Sequence, residues 1–452
     1  MDRATLGALF STELHRAIKP DELPTLLAAH DLIEAYFAAS VATERKALVE
    51  QIKATGVDAN VLGRLCRVRQ SWQNLPPGVY YFNEKVGPHD VAYFLGVPAG
   101  YTRDRAWPVV EMLPTAQPFL TDPPPSQDDV ARMYRVWIEA ELAAHPDALV
   151  LMPLLDLDQL WGPSQTGMNR AVQPLHHAAG VVNIDPQRVY LVGHSMSAHA
   201  TWNLALHYPT YYAAFSTLAG SASGDWQRLR LVNLRNTLPV VWHDADDDVI
   251  KVDMSRQLVR VLRQQKLDVL YEETQQRGHV PGPDLIEKQY LTMRARTREL
   301  YPKQVTVQSS RPDTMFNRVD WIQMYQPTNP GPERRLLLRH GTGQMIVNQN
   351  SFRTDASVVA PNRLELKIDN VDLLRVYLND QLIDFKEPIV IKVGTKVKFE
   401  GMVEPDIDQM LKDQVFLGRG WRYFTAVVDI DMSEAKPTVV PTTRGRIEII
   451  RP

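Results

Sequence analysis

The 452-residue chain holds a single cysteine, Cys66. An intrachain disulfide is therefore excluded, and so is any zinc site built on several thiolates. It also lacks an excess of either charge, because 50 basic residues nearly cancel 53 acidic ones and leave −3. Without a strong net field, neither nucleic acid nor an anionic membrane surface is an expected partner. No run approaches the roughly 18 to 20 apolar residues that cross a bilayer, so no membrane span is expected. The opening MDRATLGALFSTELHRAIK has no uninterrupted apolar stretch of the secretory kind. The expectation is a soluble, cytoplasmic protein, or an exported one if a leader has been removed.

What the chain does have is 44% hydrophobic residues, enough to bury a large core. Its length suggests about two to four domains, and three stretches differ in pattern. Over 1–75, apolar residues recur three and four apart; in TERKALVEQIKATG, Thr43 can cap a helix start and Gly56 its end. Asp58 then opens a helix with Val61, Leu62, Leu65 and Val68 on one face. A helical layer packed on the next domain is expected, ahead of partner binding. Pro76, Pro77 and Gly78 break this pattern. Over 76–305, β-rich runs such as PVVEML, ALVLMPLL, RVYLVG, PVVWH and VLYEE alternate with helical periods. That alternation predicts βαβ units, hence a parallel sheet with helices on both faces. Over 306–452, segments such as RLELKID, PIVIKV and YFTAVVDID come at short spacing, which predicts a β-rich domain. One amphipathic stretch, DIDQMLKDQVFL, is expected as a helix lying across it.

The chemistry is carried by RVYLVGHSMSAHATWNLALHYP, 188–209, where a strand runs through Gly193-His194-Ser195-Met196-Ser197 directly into a helix. A serine at such a turn has a strained backbone and a lifted hydroxyl, and the residues two away must be small. Gly193 and Ser197 are small. The helix N-terminus supplies free N–H groups for an oxyanion, with Met196 N–H the expected donor. Without its context, G-x-S-x-S is also a chance loop pattern. A serine nucleophile further needs an imidazole base and an orienting carboxylate, in the order Ser, Asp, His. LPVVWH ends in Asp244-Ala245-Asp246-Asp247-Asp248, and VLYEE ends in the loop Gln275-Gln276-Arg277-Gly278-His279. Both ends are expected at the carboxyl edge of the sheet, beside the elbow. His279 is the expected base, with His194 and His243 as rivals and a surface turn at Gly278-His279 as the bland alternative. His194 should point away from the nucleophile, and His243 still belongs to a strand. The acidic cluster could hold a cation, but an acid among solvated carboxylates explains it without a metal. Trp107 and Trp161 flank loops expected near the site, where packing is the more common role for an indole; Trp161 and His194 are the candidate substrate contacts.

At these residues the sequence resembles the α/β-hydrolases, in particular their esterase and prolyl-oligopeptidase-like branch. NIDPQRVYLVGHSMSAHATW is similar to that branch's N-I-D-x-x-R-V-Y-x-x-G-x-S-M-G-G-x-x-T-W block, and HDADDDVIKVDMS to its H-G-x-x-D-x-V-V-x-x-x-x-S block. The resemblance covers about 79–297 and implies a doubly wound, mostly parallel sheet. It places the family's acid on Asp247 and its histidine on His279. ELYPKQV and VYLNDQLIDFKEPIVIKVGTKVKFEG resemble the tail of bacterial, planctomycete-type peptidases or esterases. Two departures stand out. Ser197 replaces the family's glycine, and Pro114-Thr115-Ala116 aligns with its His-Gly-Gly, which supplies the second oxyanion N–H. Proline has no N–H, so that donor must be Thr115 or Ala116, or be absent.

The resulting expectation is a cofactor-free serine hydrolase acting on small-molecule or polymer-linked carboxylic esters. Ser195 would be the nucleophile, His279 the base and Asp247 the acid. A serine peptidase of the prolyl-oligopeptidase-like type is the enzymatic alternative. A weakly active or non-catalytic binding protein on a hydrolase frame is the alternative outside enzymes. Nothing in the pattern specifies an oligomeric state.

Overall fold

A computed structural model describes residues 1–86, 89–114, 127–154, 165–222, 225–310, 316–328, 338–340, 343–345 and 351–432. Four helices open the chain: α1 (Arg3–Glu13), α2 (Leu23–Ala38), α3 (Ala42–Ala54) and α4 (Ala59–Leu65). Asp58 caps α4 by accepting from the N–H groups of Asn60 and Val61, as its position before an apolar stripe predicts. Thr43 does not cap α3, which begins one residue earlier with Val41 at the cap and no side-chain bond there. Gly56 follows that helix at φ +69°, a left-handed turn that favours glycine.

The central sheet follows from residue parity. After β1 (Gly78–Val86) and β2 (His89–Val97) come β3 (Trp107–Leu113), α5 (Gln127–Ala144), β4 (Leu149–Pro153), α6 (Gln165–Val181) and β5 (Ile184–His194). Then α7 (Met196–His207), β6 (Ala214–Leu218), α8 (Asp225–Leu229), β7 (Leu238–Asp244), α9 (Asp253–Gln264), β8 (Leu270–Thr274) and α10 (Pro283–Arg294) complete the unit. Val109, Leu149, Leu151 and Leu191 point to one face and pack with α6, α7 and α9. Their neighbours Val110 and Tyr190 join Tyr290 and Met293 of α10 on the other face, where Val150 and Met152 meet Tyr134 and Ile138 of α5. A strand buried on both sides must be apolar at every position, hence the unbroken runs. The eight strands are ordered β1-β2-β4-β3-β5-β6-β7-β8. β1–β2 and β2–β4 are antiparallel, and every pair from β4 to β8 is parallel. This is the mostly parallel, doubly wound sheet that the resemblance implies, and β5 lies near its middle.

The C-terminal stretch builds β9 (Gln304–Ser309), β10 (Arg318–Val319), β11 (Ile322–Gln326), β12 (Leu338–His340), β13 (Gly343–Met345), β14 (Phe352–Ala360), β15 (Arg363–Asp369), β16 (Leu373–Leu378), β17 (Ile389–Val393), β18 (Lys396–Gly401), α11 (Ile407–Leu417) and β19 (Ala426–Asp431). One sheet is ordered β18-β17-β15-β14-β9 and a second β10-β11-β16-β19. Val305, Ile322, Leu364, Val376, Ile391 and Ile430 belong to a core common to both sheets. The amphipathic stretch is the expected helix, α11, but its apolar side serves a second purpose. Met410 and Leu411 close the core of α1–α4, alongside Phe10, Ile33, Ile52 and Leu62. The first four helices and α11 are therefore packed together. Arg419 forks onto Glu34, with both contacts at 2.9 Å, and the Trp72 indole N–H donates to Ala179 O on the central unit at 2.9 Å.

Buried arginines join the C-terminal sheets to the central unit. Arg298, fully buried, donates to both carboxylate oxygens of Asp320 at 2.8 and 2.9 Å. Its other terminal nitrogen reaches Asn236 O and Thr237 Oγ1, both at 2.9 Å. Arg422 approaches the same Asp320 at 3.5 Å. Removing one partner of a buried pair leaves an uncompensated charge, which typically costs about 3–5 kcal/mol. Arg298→Ala is expected to lose stability on that scale in urea unfolding. Arg298→Lys, which keeps the charge but loses the planar fork, is expected to recover only part of it; a loss below about 1 kcal/mol for Arg298→Ala would contradict this role.

The middle of β3 carries an unusual group. Glu111 is fully buried, accepts from the Tyr212 hydroxyl at 2.9 Å, and has no partner for its second oxygen among the described residues. Burial pushes its carboxyl from the ordinary 4.5 up to about 8, with the Tyr212 bond opposing. Between those values the folded protein holds a proton that the unfolded chain has lost, so folding is weakened as pH rises through that window. Glu111→Gln should gain stability relative to the parent as pH rises from about 4.5 to about 8. A pH-independent difference in unfolding free energy would contradict this.

Candidate active site

The site is assembled at the carboxyl edge of the parallel strands. Ser195, between β5 and α7, has φ 58° and ψ −121°. That conformation is costly for a residue with a Cβ and survives only where neighbours impose it. Its N–H is tied to Leu218 O at 2.9 Å. A Cβ on Gly193 would lie 2.4 Å from Ser197 O and from Thr201 Oγ1, so this position requires glycine. A Cβ on Gly220, after β6, would meet Ala198 Cβ at 2.4 Å and Ser195 O at 3.0 Å. Ser197, in the place of the family's glycine, fits without displacing the turn; it is fully buried and its hydroxyl donates to Pro114 O.

Three of the expected residues converge. His279 Nε2 lies 2.8 Å from Ser195 Oγ, and His279 Nδ1 lies 2.9 and 3.1 Å from the two oxygens of Asp247. Asp247 can only accept, so Nδ1 carries the hydrogen, and the bare Nε2 faces the serine O–H. Asp247 itself is buried and takes the N–H groups of Val249 and Ile250 at 2.9 Å each. Burial alone would raise its carboxyl, but the His279 bond and the two amides outweigh this and hold it below the ordinary range. Met196 opens α7, where a helical N–H has no partner inside the helix. Thr115, Ala116 and Trp161 lie outside the described residues.

Other expectations change. Trp107 stands at the amino end of β3, opposite the site, with its indole N–H on Thr102 O at 3.0 Å and the Arg105 guanidinium 3.9 Å above its ring. It is a packing residue, because the loops of the site leave from the other end of the strands. His194, a rival base and candidate substrate contact by sequence, instead turns its Nε2 to His279 O at 2.9 Å and so holds the backbone of that loop. Desolvation lowers its imidazole below the ordinary value.

Nor are the neighbours of Asp247 all solvated. Asp244 is fully buried, and its Oδ2 accepts from Thr274 Oγ1 at 2.7 Å and from Arg277 N at 3.1 Å. Burial would raise this carboxyl, yet Thr274 and the surrounding backbone amides lower it. Exposed Asp246 takes Gln276 N at 2.7 Å. The two carboxylates thus shape the loop that carries His279. Residue types alone did not reveal this, because Asp244 and Arg277 are brought together only when β7 and β8 pair.

Known proteins were compared with the chain. No family model matches it, and no curated protein matches it. Among solved structures it is similar to a thermostable esterase at 22% identity and TM-score 0.40, over 49% of this chain and 63% of that one. It is also similar to a ferulic acid esterase from Anaeromyces mucronatus at 12% identity and TM-score 0.35, over 51% and 94% of the two chains. An acylaminoacyl peptidase from Pyrococcus horikoshii matches at 12% identity and TM-score 0.37, over 48% of this chain and 41% of its own. All three concern about half of the chain.

Asp247→Asn should lower turnover by about 10⁴, because an amide can present N–H to Nδ1 and hold the wrong tautomer. Asp244→Ala should lower it by roughly ten- to a hundredfold through displacement of the histidine loop, whereas Asp248→Asn, at an exposed position, should leave it unchanged. Steady-state kinetics on one ester separates the three, and equal losses at Asp247 and Asp248 would reject the assignment of the acid.

Proposed function

We propose that this chain, which has the α/β-hydrolase fold, is a serine hydrolase of carboxylic esters, with Ser195 as nucleophile, His279 as base and Asp247 as orienting acid. The observation that carries the reading is the unbroken hydrogen-bond chain from Ser195 Oγ through both nitrogens of His279 to Asp247. A hydroxyl is a weak nucleophile until a base takes its proton in the transition state. His279 Nε2 stands at the right distance to do so, and Asp247 stabilises the imidazolium that forms.

In the first step Ser195 Oγ would bond to the ester carbonyl carbon while its proton passes to His279 Nε2. The negative charge then formed on the carbonyl oxygen would meet the free N–H at the start of α7. Collapse breaks the bond to the alcohol oxygen, which leaves with the proton from Nε2. Water, deprotonated by the same nitrogen, attacks the acyl-enzyme and releases the carboxylic acid and the free serine. Amide cleavage uses the same atoms but asks them to expel a poorer leaving group, and so depends more on oxyanion donors. Pro114 has no N–H to give. Esters are for that reason the preferred class over peptides.

Ser195→Ala should reduce hydrolysis of a chromogenic aryl ester by on the order of 10⁴ to 10⁶ and abolish labelling by a fluorophosphonate, because only binding and oxyanion contacts remain. Equal activity in the variant would reject Ser195 as nucleophile. Absent labelling of the parent protein would favour a binding protein on a hydrolase frame, and efficient cleavage of unactivated peptides would favour the peptidase.

A further inference from the structure

We propose that His243, a second histidine buried beneath the site, is the positioning residue for Asp247 and sets the geometry in which that carboxylate meets His279. The inference rests on the serine-hydrolase reading for its kinetic consequence but not for its structural one. His243 is the penultimate residue of β7 and is fully buried. Its Nε2 lies 2.8 Å from Ile250 O and 3.2 Å from Asp247 Oδ2. Its Nδ1 lies 2.7 Å from the hydroxyl of Ser255, which is also fully buried.

Both oxygens facing Nε2 can only accept, so Nε2 must carry a hydrogen. In the neutral ring Nδ1 is then bare and accepts the Ser255 hydroxyl. This is the opposite tautomer to that of His279. The Nε2 hydrogen goes to Ile250 O, and the N–H of Ile250 in turn goes, with that of Val249, to Asp247 Oδ1, so His243 pins the turn that holds the acid while its Nε2 edge stands beside Oδ2, the oxygen nearer to His279 Nδ1. The ring is fixed at both ends. Ser255 Oγ also lies 3.3 Å from Gly220 O, and Gly220 packs against Ser195 O. Without the Nε2 donor, Ile250 O loses its partner, and the turn whose amides hold the buried carboxylate is free to shift and draw His279 out of line. Misplacement of a reacting group by about 1 Å typically costs on the order of 10² in rate.

The test uses the side-chain reach of the two amides. In His243→Gln the amide extends to the Nε2 position and can still donate to Ile250 O. In His243→Asn it extends only to the Nδ1 position, keeping Ser255 and losing Ile250 O. His243→Asn should lower kcat on an aryl ester by roughly ten- to a hundredfold with KM little changed, and His243→Gln should recover most of it. Proton NMR gives a readout independent of turnover: the low-field His279 Nδ1–H signal, identified by its loss in His279→Gln, should move in His243→Asn and return in His243→Gln. A folded His243→Asn with an unmoved signal overturns the proposal whatever the activity, as does a His243→Gln variant whose signal is displaced as far as in His243→Asn. If the parent protein neither labels with fluorophosphonate nor turns over, the hydrolase reading fails, and the displaced and restored signal alone still decides the role of His243.

Discussion

Everything at the site depends on one backbone conformation, that of Ser195 at φ 58°. A residue with a Cβ does not stay there unaided, and the surroundings show what keeps it there. The strand before it and the loop after β6 each bring a glycine so close that a Cβ would lie 2.4 Å from a neighbouring atom. The serine N–H is fixed to the adjacent strand end at Leu218 O. The helix that follows is buried along almost its whole length, from Ser197 to His207, so the turn cannot relax by tilting it. Strain is held by packing, and packing gives the hydroxyl its direction.

The same logic extends outward through charge. Asp244 and Asp246 tie down the loop of His279 through backbone amides, while His243 and Ser255 hold Asp247 from below. These groups are paired or bonded, as buried polar atoms must be to avoid a desolvation penalty. Glu111 is the contrast: a carboxyl with one partner among the described residues, its proton held more tightly by burial. Farther out, Arg298 with Asp320, and Arg419 with Glu34, join the helical beginning, the central sheet and the terminal sheets. The helix α11 is shared, its apolar side closing the core of the first four helices.

Much of this was legible in the sequence because it is local. Runs apolar at every position gave doubly buried strands, and Asp58 before an apolar stripe gave a capped helix. Gly193-x-Ser195 between a strand and a helix gave the sharp, strained turn at Ser195. Two loop ends rich in Asp and His, each after a β-rich run, gave the partners of Ser195. What failed was judged from residue type without a neighbour. Trp107 was placed near the site because its loop was, yet it starts its strand at the other end. Thr43 looked like a cap, but the helix begins before it. Asp244 looked solvated, and the backbone contact of His194 with His279 O had no signal in residue type. For His243 the signal was present, since it and Ser255 stand at the first and last positions of the block that holds the acid.

The sequence by itself determined which segments are strands and helices, where the strained turn at Ser195 falls, and the order Ser, Asp, His along the chain. Periodicity and turn chemistry act over a few residues, so a linear reading reaches them. Tertiary structure alone decided which of the acidic residues meets His279, that Asp244 is buried against Thr274 and Arg277, and that His243 lies under Asp247. It also decided that α11 and the first four helices share one core. Those outcomes depend on pairings between residues up to 385 positions apart, as in Glu34 with Arg419. They arise because a buried charge or polar atom must find a partner wherever the fold brings one within reach.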